Sequence, residues 1–367
     1  MTTTNTRIKF ANNNMLSSTA TITNSTFATA QPLANIYDSR RGVYGSPRGN
    51  FLVESTNKKL YINDGTDKTI TLTEAEYTGA TLASHIQTQL NASSSNWTCT
   101  YSSTTYKFTI DRSSGTETLR MTQTTDAAWD LIGFTGVADV SATYTSDEPR
   151  IHSSEWIKID LGAAQEINFV GLVGPVGEGL GLSSSAVVKI QGNNLDSWSS
   201  PTVNETLELS DIGAFAYPDA THRYWRILIT DRTNTGGPTA IKLGYVSIST
   251  TVDLTTVNIG NGFTMGYIDN SDVFVSDSGA KYFNIKPRPW YLSGELQAAF
   301  GAQRRELEQF FFDYGVTDPF FISIDPTLGV FDYQHETTKL VRFSSMPSLS
   351  HIIRDYFNIS LEVEEVI

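Results

Sequence analysis

Five histidines, one cysteine and 39 acidic side chains are the groups with which this 367-residue chain could do nucleophilic, acid–base or metal chemistry. His85, His152, His222, His335 and His351 are spread along its length, and none stands in a His-Glu-x-x-His or other recognisable catalytic spacing. Gly177-Glu178-Gly179-Leu180-Gly181 is followed by Leu182 and serines instead of the lysine that a phosphate-binding loop requires. Cys99, being alone, excludes an intrachain disulfide and a cysteine-cluster zinc site. It lies in Trp97-Thr98-Cys99-Thr100-Tyr101, which reads as a strand, so a packed thiol is expected. Asn63-Asp64-Gly65-Thr66-Asp67 lacks the ligand spacing and terminal Glu of a calcium loop and reads as a hairpin turn. These patterns predict a chain that is not an enzyme and carries neither cofactor nor metal.

Composition sets the frame in which such residues would be held. The charged fraction is low at 18%, the apolar fraction is 39%, and Thr and Ser are plentiful, which favours strands and turns. A formal charge of −13 gives no unaided attraction to nucleic acid or anionic lipid, and the local pairs Arg40-Arg41 and Arg304-Arg305 do not reverse that. The first residues, Met1-Thr2-Thr3-Thr4-Asn5, lack the charged-then-apolar layout of a signal peptide, and no apolar run approaches 18 residues. The sequence therefore reads as soluble, made in the cytoplasm and uncleaved, with no membrane insertion. Its length suggests two or three domains.

Strands are expected at 155–162, where Ile157, Ile159 and Leu161 share a face and Gly162 permits a tight turn, and at 167–173, 186–191 and 224–230. Gly, Ser, Asn and Pro clusters separate them, as in an antiparallel sandwich. Asn35-Ile36-Tyr37-Asp38, Trp156-Ile157-Lys158-Ile159-Asp160-Leu161-Gly162 and Tyr224-Trp225-Arg226-Ile227 resemble, in order, landmarks of the discoidin (F5/8 type C, galactose-binding-like) sandwich. The resemblance implies a jelly-roll sandwich of residues 1–48 and 149–250, with Trp156 and Trp225 in its core. The stretch between Asp38 and Trp156 is too long for a structureless loop and predicts an inserted domain over 49–148.

That insert reads as a ββαββ unit. Strands are expected at 59–63 and 69–73, joined through Asp64-Gly65, and at 97–101 and 106–111. Between them Leu82, Ile86 and Leu90 place one apolar face on a helix over 81–90, with Asn91 at its end. The unit is similar to small modules that recur in phage and other viral virion proteins.

From about residue 251 Phe and Tyr become frequent. A helix is expected over 294–314, with Ser293 as cap, Glu295 in its first turn and Gly315 closing it. Leu296, Phe300, Leu307, Phe310, Phe311 and Tyr314 form its apolar stripe, and strands at 320–324, 340–343 and 358–363 can supply the sheet that buries it. Ile359, Leu361 and Val363 alternate there with Ser360, Glu362 and Glu364, which should face outward. With Arg288-Pro289-Trp290, Asp325-Pro326 and the ending Ser360 to Val366, residues 251–367 resemble the tube-like sheet-plus-helix domain of long-tailed bacteriophage tail-tip proteins. The whole chain is thus expected to be mainly β with α+β parts.

Taken together these resemblances imply a virion structural protein of a phage tail tip or baseplate, a distal tail or minor tail protein. Its expected partners are other tail proteins (tube, hub) and copies of itself in a ring with cyclic symmetry, closed through the C-terminal domain. The sandwich resemblance further implies contact with host-surface glycan through its loops, for which Asp38, Tyr44, Arg150, His152, Glu178, Tyr217 and Arg223 are the candidate ligand-binding residues. Other readings share part of the pattern: a free carbohydrate-binding or adhesin module, and a capsule-degrading enzyme using paired carboxylates.

Overall fold

A computed structural model of the chain describes residues 8–17, 20–37, 41, 43–47, 49–112, 117–141, 143–151, 154–210, 212–232, 234, 240–252, 254, 258–260, 262–326, 333–353 and 356–366. It is mainly β with a few helices, as composition demands. Three large hydrophobic cores and a smaller fourth organise it.

The first core lies between two antiparallel sheets. One has the order 203–206, 187–193, 220–230, 155–167, 21–24; the facing one has 208–209, 213–216, 169–173, 245–251. Alternation decides which side chains meet. Ile22, Ile159, Trp225, Gly192 and Val203 stand in register across all five strands of the first sheet. Gly192 is required there because a Cβ would press on the Trp225 ring, which is fully buried. Trp156 has the opposite parity. It is half-buried on the outer face with Lys158 5.8 Å from its ring centroid, so its expected place in the core is corrected. Gly162, with φ of +74°, sits at a bulge inside the strand Glu155–Ile167 instead of ending it.

The second core is made wholly of residues from 51 to 144. Hairpins Lys59–Asn63/Asp67–Thr71 and Trp97–Tyr101/Phe108–Arg112 flank the helix Gly79–Ser93, in the expected ββαββ order, with short strands added around them. Thr78 caps the helix by accepting the Thr81 N–H at 3.3 Å, and Leu82, Ile86 and Leu90 are buried. Asn91 clamps the chain beyond the helix by exchanging two 2.9 Å bonds with the backbone of Trp97. Cys99 is packed in this core, as expected.

The third core corrects one element. Residues Trp290–Phe300 form a strand, and the helix occupies only Gly301–Tyr314. Leu292 and Leu296 face inward from the strand, with Gly294 between them on a side where a Cβ would strike Phe263 and Ile259. Ser293 and Glu295 pair with Glu362 and Ser360 across the sheet, so neither serves a helix terminus. Gly315 does close the helix, at φ +53° with its N–H on the Phe311 carbonyl at 3.0 Å. Leu307, Phe310 and Phe311 then pack on Phe10, Phe320 and Phe343, with ring centroids 5.0 Å apart for Phe310 and Phe320. Ile359, Leu361 and Val363 are buried, while Glu362 is exposed and Glu364 meets Arg342 at 2.7 Å.

One strand joins the first and third cores. Lys9–Asn12 pairs with 245–251 through residues 11 and 12 and with 320–323 through residues 9 and 10, so the sandwich sheet runs on into the C-terminal sheet. Phe215 and Phe321 stand four strands apart along that sheet, about 19 Å if it were flat. Their rings are 6.0 Å apart, so the sheet curls at this corner and buries Phe169, Phe215, Tyr245, Phe321 and Leu340 as the fourth core. Arg41 fastens the same junction, donating to the Gly174 carbonyl at 2.9 Å and the Val366 carbonyl at 2.8 Å. Among the described residues no helix is long and apolar enough to cross a membrane.

Candidate functional site

The strand registers sort the sandwich loops to two ends. Loops 25–50, 174–186 and 231–244 leave one end, together with both connections to the insert; loops 13–20, 194–202 and 217–219 leave the other, on the side of the bulge at 161–164. Of the seven candidate residues, Asp38 and His152 lie outside the described residues. The other five fall in four places.

Tyr44 and Glu178 are brought together at the insert end. Lys242 pairs with Glu178 and lies 5.7 Å from the Tyr44 ring centroid. Beside them opens a cleft of about 950 Å³, with Leu180, Ser183, Ser210 and Asn234 in its wall. The buried Asp231 carboxylate shapes that wall by accepting the Ser183 N–H at 2.9 Å and the Asn234 amide at 2.8 Å. The lining mixes hydroxyl and amide groups and one neutralised ion pair with the apolar Leu180, Leu182, Leu209 and Ala240, which suits a neutral ligand with both polar and apolar faces.

Arg150 is at the same end but buried. Its guanidinium is held by the Asp130 carbonyl and carboxylate and by Glu148 at 2.7 Å, and its own carbonyl accepts the Tyr101 hydroxyl at 2.8 Å. It stitches the exit of the insert to its body. Arg232 also pairs with Asp130, and Arg226 with Glu54 at 2.5 Å, so ion pairs fix the insert against the sandwich. Arg226 is further held by Gln191 at 2.8 Å and lies 4.8 Å from the Trp198 ring centroid.

Arg223 stands at the far end, in a bidentate pair with Asp160 at 2.7 and 2.9 Å, beside a cleft of about 590 Å³. That pair, with the Gly162 N–H at 2.8 Å, holds the Asp160 carboxyl down at about 2. Tyr217 belongs to the junction with the C-terminal sheet. Burial pushes its hydroxyl up to about 12, and it shares a 2.9 Å hydrogen bond with Thr338.

The described histidines have structural settings. His85 Nε2 accepts the Thr73 N–H at 3.0 Å while its ring stacks on Tyr77, and its pKa is lowered by desolvation. His222 meets the buried Trp225 edge-on, His335 lies 3.2 Å from Glu208, and His351 leans on Phe357. Among the described residues no group of three or more His, Cys, Asp or Glu could hold a metal ion.

Reasoning on loops missed a cluster of exposed apolar side chains. Hairpin Asp272–Val275/Lys281–Asn284 pairs only with itself among the described residues and projects as an arm, with Val273, Phe274, Val275, Tyr282, Phe283 and Ile285 all exposed. Phe283 remains 64% and Ile285 78% exposed. The signal was present in Val273-Phe274-Val275 and Tyr282-Phe283 either side of a Ser-Asp-Ser-Gly turn, where Gly279 takes φ of +80°. No protein-family model matches this chain, and no curated protein matches it.

Proposed function

We propose that this protein is a structural component of a phage tail tip or baseplate, a distal tail or minor tail protein, that assembles with copies of itself through its C-terminal unit. The observation that carries the self-assembly is the apolar arm at 272–284, because monomeric proteins rarely leave so much contiguous apolar surface in water. Sheet margins support it. Thr264–Tyr267 and Leu349–Ile353 each have a sheet neighbour on one side, and neither carries the Lys, Glu or Pro that guards a solvent-facing edge. The continuous sheet through Lys9–Asn12 suits a load-bearing part, since the sandwich cannot swing freely on such a joint. The tail assignment itself rests on the resemblance of the three modules and on their order in one chain. Negative-stain images of the purified chain test it: closed rings of uniform diameter are expected, and a field of dispersed single particles would sink it.

A second reading, a carbohydrate-binding or adhesin module, is favoured by the cleft beside Tyr44, Glu178 and Lys242. Titration with host-surface polysaccharide separates the two. Saturable binding that Tyr44→Ala abolishes, by a chain that remains a single particle, would replace the assembly reading.

A further inference from the structure

The arm needs a cover, and the described residues of its own body do not supply one. Its two strands have no other sheet neighbour among the described residues, and a lone two-stranded hairpin is marginal in water. Both of its faces carry exposed apolar side chains: Val273, Val275 and Phe283 beside Lys281 on one, Phe274 and Tyr282 beside Asp272 and Asn284 on the other. Counting Tyr267 and Ile285, seven large exposed side chains offer roughly 700 Å². That approaches the share of about 800 Å² which one partner brings to a standard protein interface.

Two features choose the occupant. The tip is Ser276-Asp277-Ser278, polar, with Asp277 and Ser278 exposed, and would have to enter a bilayer first, which argues against lipid. The same chain carries a surface of matching kind, the margin strand Leu349–Ile353, uncharged and with Ile352 and Ile353 exposed. The arm leaves the sheet near Trp290, level with Glu364, whereas Leu349–Ile353 lies beside Tyr356 to Ile359. That is about 23 Å away along the strand direction, on the opposite margin. An arm that projects from one end of a sheet and a margin strand at the other are arranged for contact between copies.

Resting on the assembly reading above, we infer that the arm Asp272–Asn284 of one copy adds to the margin strand Leu349–Ile353 of a second copy. Backbone hydrogen bonds continue the sheet, and the apolar side chains of arm and margin cover each other on its two faces. Arm and edge are different surfaces, so the association is heterologous and runs head to tail, closing into a ring if the rotation per copy divides the circle.

Cross-linking of the full chain tests the contact, with Cys99→Ala removing the one native thiol. Chains carrying only Val275→Cys and chains carrying only Ile353→Cys are mixed and oxidised. A disulfide-linked pair is expected from the mixture, in at least tenfold excess over either variant alone. In a second arm, residues 272–284 are replaced by a short Gly-Ser turn, with far-ultraviolet circular dichroism to confirm that the fold is kept. This variant is expected to run as a monomer. If the parent assembles but the mixture does not link, or the armless chain keeps the parent's mass, the inference falls and the assembly reading stands. If the parent is itself a monomer, both fall. Arm-dependent sedimentation with phosphatidylcholine vesicles, without change of mass, would overturn the inference in favour of a lipid partner.

Discussion

At the residue scale the lowered carboxyls of Asp160 and Asp269 make part of the fold's stability depend on acid. Asp160 and Asp269 are both held at about 2, Asp160 chiefly by the Arg223 side chain and Asp269 chiefly by Ser271. Each is more acidic folded than unfolded, where a carboxyl titrates near 4. The stability each contributes is therefore fully present above about pH 4 and is lost as pH falls through about 2. Urea melts of the wild-type chain and Asp160→Asn should differ at pH 5 and converge towards pH 2; a gap that is constant with pH would contradict this. Cys99 is the second test. Burial raises its thiol to about 12, so a thiol reagent at pH 8 should label it only after denaturant is added, and rapid labelling of the native chain would show the insert core to be open. The expected chemistry of these residues was legible because it depends on type: a single cysteine in a strand is packed, and the Asp64-Gly65 hairpin formed as read. The candidate ligand set was not, because loop order does not say which end of a sandwich a loop leaves. Tyr44 and Glu178 share an end with Arg150, whereas Arg223 is at the other and Tyr217 is turned into the C-terminal junction.

At the scale of elements, periodicity located most strands to within two residues and failed where two periods overlapped. Leu296, Phe300, Leu307 and Phe310 suggested one long helix, yet Leu292 and Leu296 also fit a strand, and pairing with Tyr356–Glu365 decides for the strand. Gly301, at φ +52°, marks the change that the pattern could not. The shortened helix still carries the third core. Phe310→Ala should cost about 3–5 kcal/mol in chemical denaturation, as truncation of a buried aromatic usually does. Trp225→Ala should cost a similar amount in the sandwich, since Gly192 leaves that ring's volume to no other side chain. A loss below about 1 kcal/mol at either site would mean that the core packing described is wrong. Trp156, assigned inward by its neighbours in the motif, shows the limit of motif reading: strand parity placed it outside, beside Lys158.

At the scale of the molecule, the sequence suggests a sandwich interrupted by an inserted domain and followed by a C-terminal unit, and the continuous sheet through Lys9–Asn12 was not visible in it. The reason is distance along the chain: residues 9–12 meet 250–251 and 322–323, pairings that no local pattern announces. Deleting residues 1–12 should uncouple sandwich and C-terminal unit, seen as new protease cleavage near residue 252 that the intact chain resists. The third core takes Phe310, Phe311, Phe320 and Phe343 and the curled junction takes Phe321, while the arm is left without an internal cover among the described residues. The central claim, that this surface exists for assembly, is met most directly by light scattering on the purified full-length chain across a range of concentrations. A single species at a whole-number multiple of the chain mass, three or more and independent of concentration, is the predicted result. A monomer that persists at tens of micromolar would contradict the account.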